Sequence, residues 1–86
     1  MKFEGAVVKE QRVTFGIVVV KEQVLRNSDT ISNMQAFGRR AFGMMPIILM
    51  AQNSAGRAQY YGRKDIVNFL AKIDPRRIPF KEYTLQ

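Results

Sequence analysis

Hydrophobic and polar positions change their spacing several times along the chain, and each change marks an element. Residues 2–9, KFEGAVVK, alternate with Phe3, Gly5 and Val7 on one side, which predicts a strand with one half-exposed face. The polar link Glu10-Gln11-Arg12 leads to VTFGIVVV at 13–20, which is β-branched and almost continuously apolar. Such a run suits a strand buried on both faces and is expected in the interior of a sheet. Two runs joined by so short a link predict a hairpin.

After the loop RNSDT, 26–30, Ile31, Met34, Phe37 and Ala41 recur at helical spacing as far as about Phe42. Ser28, Asp29 and Thr30 have the chemistry of helix caps. Gly38 inside this helix costs about 1 kcal/mol relative to Ala, and close packing against the sheet is an expected use for it. Gly43, followed by Pro46, ends the helix. IILMAQ, 47–52, predicts a third, interior strand, and NSAG, 53–56, a turn with Gly56 at positive φ. RAQYY, 57–61, completes a second hairpin.

Ile66, Phe69, Leu70 and Ile73 share one face of a helix over 64–73, which Asp74-Pro75 stops. FKEYTL, 80–85, alternates weakly, as an edge strand or as a tail that orders on a partner. The order ββα-ββα with a possible C-terminal strand predicts one small α+β domain spanning 1–86. Its expected form is a two-layer sandwich, a mainly antiparallel sheet of four or five strands with both helices on one face.

Composition then narrows the chemistry. Hydrophobic residues make up 47% of the 86, with six Phe and three Tyr, the balance of a folded domain. There is no Cys, which excludes disulfides and thiolate metal sites. There is no His either, which removes the commonest acid, base and metal ligand near neutral pH. The seven acids are scattered and form no recognisable pair. Neither an enzyme nor a metal or cofactor is expected. The N-terminal MKFEGAVVKEQR has charges where a signal peptide is apolar. The longest apolar run, PIILMA, is far below the roughly 20 residues of a membrane span, so a cytoplasmic protein with no membrane association is expected.

The formal net charge is +7 and it is unevenly distributed. Residues 1–33 hold five basic and four acidic side chains (+1), and residues 34–86 hold nine and three (+6). That asymmetry raises the question of an anionic partner, a nucleic acid or nucleotide. The segment that best fits one is RAQYYGRKD, 57–65. Gly62 leads into the helix, Arg63 and Lys64 supply cations at its positive end, and Arg57 lies close in sequence. Tyr60 or Tyr61 can stack on a ring, and Asp65 can accept hydrogen bonds from a ribose. The same residues also serve an ordinary strand-to-helix turn, and the constrained glycine spacing of a nucleotide loop is missing.

PIILMAQNSAGRAQYYGRKDIVNFLAKI, 46–73, resembles the second half of a CBS domain, with its strand, glycine turn, strand, and helix opened by basic residues and Asp-Ile. The resemblance implies adenine-nucleotide binding through a hydroxyl residue before the helix and an acid three residues later. Asp65 matches the acid, but Gly62 stands where the hydroxyl belongs. The resemblance covers about a third of the chain, which has room for one such module where the family uses two. No assignment is drawn from it.

A wider basic surface would join Arg39, Arg40, Arg76 and Arg77 to Arg57, Arg63 and Lys64, with Tyr83 as a further stacking group. No recognised nucleic-acid motif accompanies it. Met44 and Met45, in GMMP, are candidates for an exposed apolar patch and a homodimer contact. The function expected from the sequence is a non-catalytic cytoplasmic binding or assembly module, with a homodimer expected where FKEYTL or the first strand lies at a sheet edge. The alternative is a domain that binds nucleic acid or nucleotide through residues 39–77.

Overall fold

β1 (Lys2–Glu10) and β2 (Val13–Val19) form an antiparallel hairpin in which Glu10 pairs with Val13. The computed structural model describes residues 1–10 and 12–85, so Gln11 of the expected link, and Gln86, lie outside the described residues. A 3-10 helix, Glu22–Arg26, follows β2 and precedes α1 (Ser28–Phe42). The cap of α1 falls one residue earlier than expected: the Asn27 side chain accepts from the backbone N–H groups of Asp29 and Thr30. Thr30 instead donates its hydroxyl to the carbonyls of Val24 and Asn27, tying the helix start to the 3-10 helix.

β3 (Ile47–Gln52) and β4 (Ala58–Tyr61) make the second hairpin, and Gly56 in its turn has the expected positive φ. α2 (Lys64–Leu70) is shorter than the apolar spacing to Ile73 predicts. A 3-10 turn, Pro75–Arg77, then leads to β5 (Lys81–Thr84). The sheet order is β4-β3-β2-β1-β5. β2 and β3 pair in parallel, and the other three pairings are antiparallel. The class is α+β with a mixed five-stranded sheet, and β2 sits at its centre.

The placement of the helices corrects one expectation. They flank the sheet on opposite faces, which makes three layers where two were expected. Val18, Ile47 and Leu49 pack with Ile31, Met34 and Phe37 of α1. The alternate residues Phe15, Ile17, Ile48 and Met50 pack with Ile66 and Leu70 of α2. The reason is the composition of β2 and β3. Both are apolar on both faces, so two helices on one side would leave Ile17, Ile48 and Met50 in water. Fully burying each of these contributes roughly 1.5–3 kcal/mol.

On the α1 side, Phe3, Phe37, Phe42 and Tyr83 form one aromatic cluster. Phe3 stacks on Tyr83 at 5.5 Å, and Phe42 meets Tyr83 edge-on at 5.0 Å. Such pairs contribute about 0.5–1.5 kcal/mol each beyond area burial, and here they fasten β5 to the helix layer.

α1 approaches the sheet closely at Gly38. A Cβ there would lie 2.5 Å from Ile47 Cγ2 and 3.2 Å from Val18 Cγ2. In an exposed helix, Gly→Ala gains about 1 kcal/mol. Gly38→Ala is expected to destabilise instead, by about 1–2 kcal/mol net, because overpacking a core costs about 1–3 kcal/mol. Urea unfolding checks the sign, and a stabilised variant would refute the close-approach account.

Candidate functional site

The residues of the 57–65 segment point in different directions. Strand alternation sends Tyr60, paired with Met50, to the α2 side and Tyr61, paired with Leu49, to the α1 side. Tyr60 packs against the core, and its buried hydroxyl has no hydrogen-bond partner among the described residues. Burial pushes its pKa above the usual phenol value. Tyr61 is 47% exposed. The two rings therefore cannot stack on one ligand.

Gly62 turns the chain with φ +153, and a Cβ there would meet Ile48 Cδ1 at 2.5 Å. Steric fit to β3 thus accounts for the glycine. Arg63 and Asp65 form a bidentate pair, with Nε and Nη2 each 2.8 Å from a carboxylate oxygen. The hydrogen bond from Arg63 holds the Asp65 carboxyl below the usual carboxylate range, and the guanidinium is raised in return. The cation meant for a phosphate and the acceptor meant for a ribose satisfy each other. Lys64 is exposed, and Arg57 is exposed in the β3–β4 loop with its backbone N–H bonded to Asn53 Oδ1.

The other cations do not gather around this segment. Arg39 and Arg40 lie in the last turn of α1, across the sheet from Arg63, Lys64, Arg76 and Arg77. Arg76 is paired with Asp74 at 2.7 Å. The methionine pair also divides: Met44 is fully exposed, while Met45 packs into the core under α1.

The structure brings out an open edge on the first strand, one of the two elements the sequence offered as an edge, and shows that only part of that strand is open. β1 is nine residues long and β5 is four, and their pairing ends at Gly5↔Lys81. Residues Ala6–Glu10 therefore have β2 on one side and, among the described residues, no strand on the other. Met1 exchanges both backbone bonds with Leu85, at 2.9 and 2.8 Å, so odd-numbered residues of β1 turn their backbone outward. By that parity Val7 and Lys9 present two N–H and two C=O groups at the open edge. Among the described residues, no backbone bond outside the sheet ladders reaches either of them.

A groove of about 340 Å³ runs beside this edge. One wall is four consecutive β1 residues, Val7–Glu10, and the other is Phe69 and Ile73 with the Arg77–Pro79 segment. Side chains of consecutive strand residues alternate between faces, so it is the strand's edge that borders the groove. The mismatch in strand length was the available signal, since 2–9 and 80–85 were already unequal in the sequence.

No family model, curated protein or solved structure matches the chain. Among the described residues, no helix is long and apolar enough to cross a membrane.

Asp74 offers a test of the local pairing. Its carboxylate accepts from the Arg76 side chain and from the Arg76 backbone N–H, which lowers its pKa from about 3.8 to about 2. A depressed folded-state value means the contribution is present above about pH 4 and is lost as pH falls toward 2. The carboxyl carbon shift of Asp74 is expected to titrate with a midpoint near 2, and a midpoint near 3.8 would contradict the pairing. Asp74→Asn keeps the cap and loses the ion pair, so it should destabilise less than Asp74→Ala.

Proposed function

We propose that the protein is a small non-catalytic binding or assembly module of the cytoplasm that accepts an extended strand along the open half of β1. The observation that carries this reading is the unpaired length of β1 after Gly5↔Lys81, with outward backbone groups at Val7 and Lys9. Adding a strand to an exposed sheet edge is a general mode of peptide capture, with main-chain bonds for affinity and side-chain pockets for choice. The groove beside Val7–Glu10 supplies such a pocket. Lack of His and Cys supports a non-catalytic role, and lack of Cys agrees with a reducing compartment.

Magnitudes set the affinity class. Four backbone bonds at about 0.5–1.5 kcal/mol net, with one apolar side chain adding about 1.5–3 kcal/mol, give at most about 9 kcal/mol against an association cost of about 4 kcal/mol or more. A weak complex, with a Kd of about 0.2 mM or higher, follows. Recognition of a nucleic acid or nucleotide has less support, because the cations are divided between two faces and Arg63 and Arg76 are internally paired.

In the monomeric protein, the amides of Val7 and Lys9 are expected to exchange roughly tenfold or more faster than those of Ala6 and Val8, which face β2. Selection from a phage-displayed library of random heptapeptides should yield extended binders that protect Val7 and Lys9. Val7→Pro removes one outward N–H without breaking the β1–β2 ladder, so it should keep the native circular dichroism and lose these binders. Equal protection of all four amides in the monomer, or binders indifferent to Val7→Pro, would overturn the proposal.

A further inference from the structure

We infer that the occupant of this edge is an acidic extended segment of another protein, an inference that rests on the strand-accepting reading above. A strand laid beside β1 alternates its side chains between the two faces of the sheet. On the α2 side they enter the groove against Val8, Phe69 and Ile73, all partly buried members of the apolar core. That side selects apolar residues. On the α1 side they stand beside Val7 and Lys9, the parity shared with Phe3 and Gly5. At 340 Å³ the groove is at the lower end of the roughly 300–1,000 Å³ of ligand sites, which suits one or two side chains rather than a folded domain.

Charge decides the rest. Arg77 lines the groove on the α2 side, while Lys9 lies along the same edge on the α1 side. Lys81, paired opposite Gly5, follows there, its ammonium 5.1 Å from the Tyr83 ring. None of the three makes an ion pair among the described residues, and Glu10 is the one carboxylate in the lining. The surrounding chain carries +7. An acidic segment is therefore attracted both locally and at long range, which favours the choice of partner and its on-rate. A second copy is the less favourable occupant. Two antiparallel copies pairing by these edges set Val7 opposite the other's Lys9 and bring the two Lys9 ammoniums diagonally together on one face. They also bring together two chains that are each at +7.

The test uses three blocked, fluorescein-labelled heptapeptides that alternate Val or Ile with Glu, Ser or Lys. Binding is read by anisotropy at low and near-physiological salt, and its location by protection of the Val7 and Lys9 amides. The Glu peptide is expected to bind about tenfold or more tighter than the Ser peptide, weaken with salt, and protect both amides. Lys9→Glu combined with Arg77→Glu should transfer the preference to the Lys peptide, and Lys9→Ser should reduce it. Equal binding of all three at this edge would overturn the acidic inference and leave the strand-accepting reading standing. If no peptide binds, and the two amides gain protection as sedimentation shows a dimer, the occupant is a second copy and the inference fails. If no peptide binds and the amides remain unprotected, or if Glu-peptide binding survives Val7→Pro, both readings fail together.

Discussion

The central strands β2 and β3 are apolar on both faces, and neither face can be left in water. From this constraint most of the architecture follows. One cover is α1, which links the two parallel strands and descends so closely that Gly38 lies against Val18 and Ile47. The other cover must come from the chain after β4. Because β4 is an edge strand, that chain crosses the whole opposite face, as α2 and then as the 3-10 turn at Pro75–Arg77, before it reaches the far edge. Ile66, Leu70 and Ile78 are the buried points of this crossing.

The crossing also explains why β5 is short. The chain arrives at the far edge part of the way along β1, with Lys81 beside Gly5, and only the remaining length is available for pairing. Phe3, Phe37, Phe42 and Tyr83 then compensate for the brevity of that strand by adding side-chain contacts between layers. β5 is held by an aromatic cluster as much as by its ladder.

Elements were legible in the sequence where a short window has a clear period. The hairpin of KFEGAVVK with VTFGIVVV, the interior position of IILMAQ and the stripe of Ile31, Met34 and Phe37 all stand in the structure. The side taken by each helix was not read correctly, although the double-sided apolar character of 13–20 contained the information. The cap at Asn27 was missed by one residue because Ser, Asp and Thr after it have the same chemistry as the residue used. The candidate anion site dissolved for a different reason. The Arg63–Asp65 and Asp74–Arg76 pairs join residues two apart through turn geometry, which composition does not reveal. Strand alternation sends one of the two adjacent tyrosines to the core, and it is Tyr60. The open half of β1 depends on relative strand length and register, which no local window contains.

An unpaired strand edge is also a hazard, since it can template the growth of sheet from chain to chain. Here Val7 and Lys9 contribute the outward backbone groups, and the strand finishes in Lys9 and Glu10, both exposed. Charges at the end of an edge oppose stacking of identical copies. An edge this short offers any strand beside it only a few bonds, and a succession of identical copies finds too little register to build on. The length of β1 left open by β5 therefore caps how far sheet can grow from chain to chain.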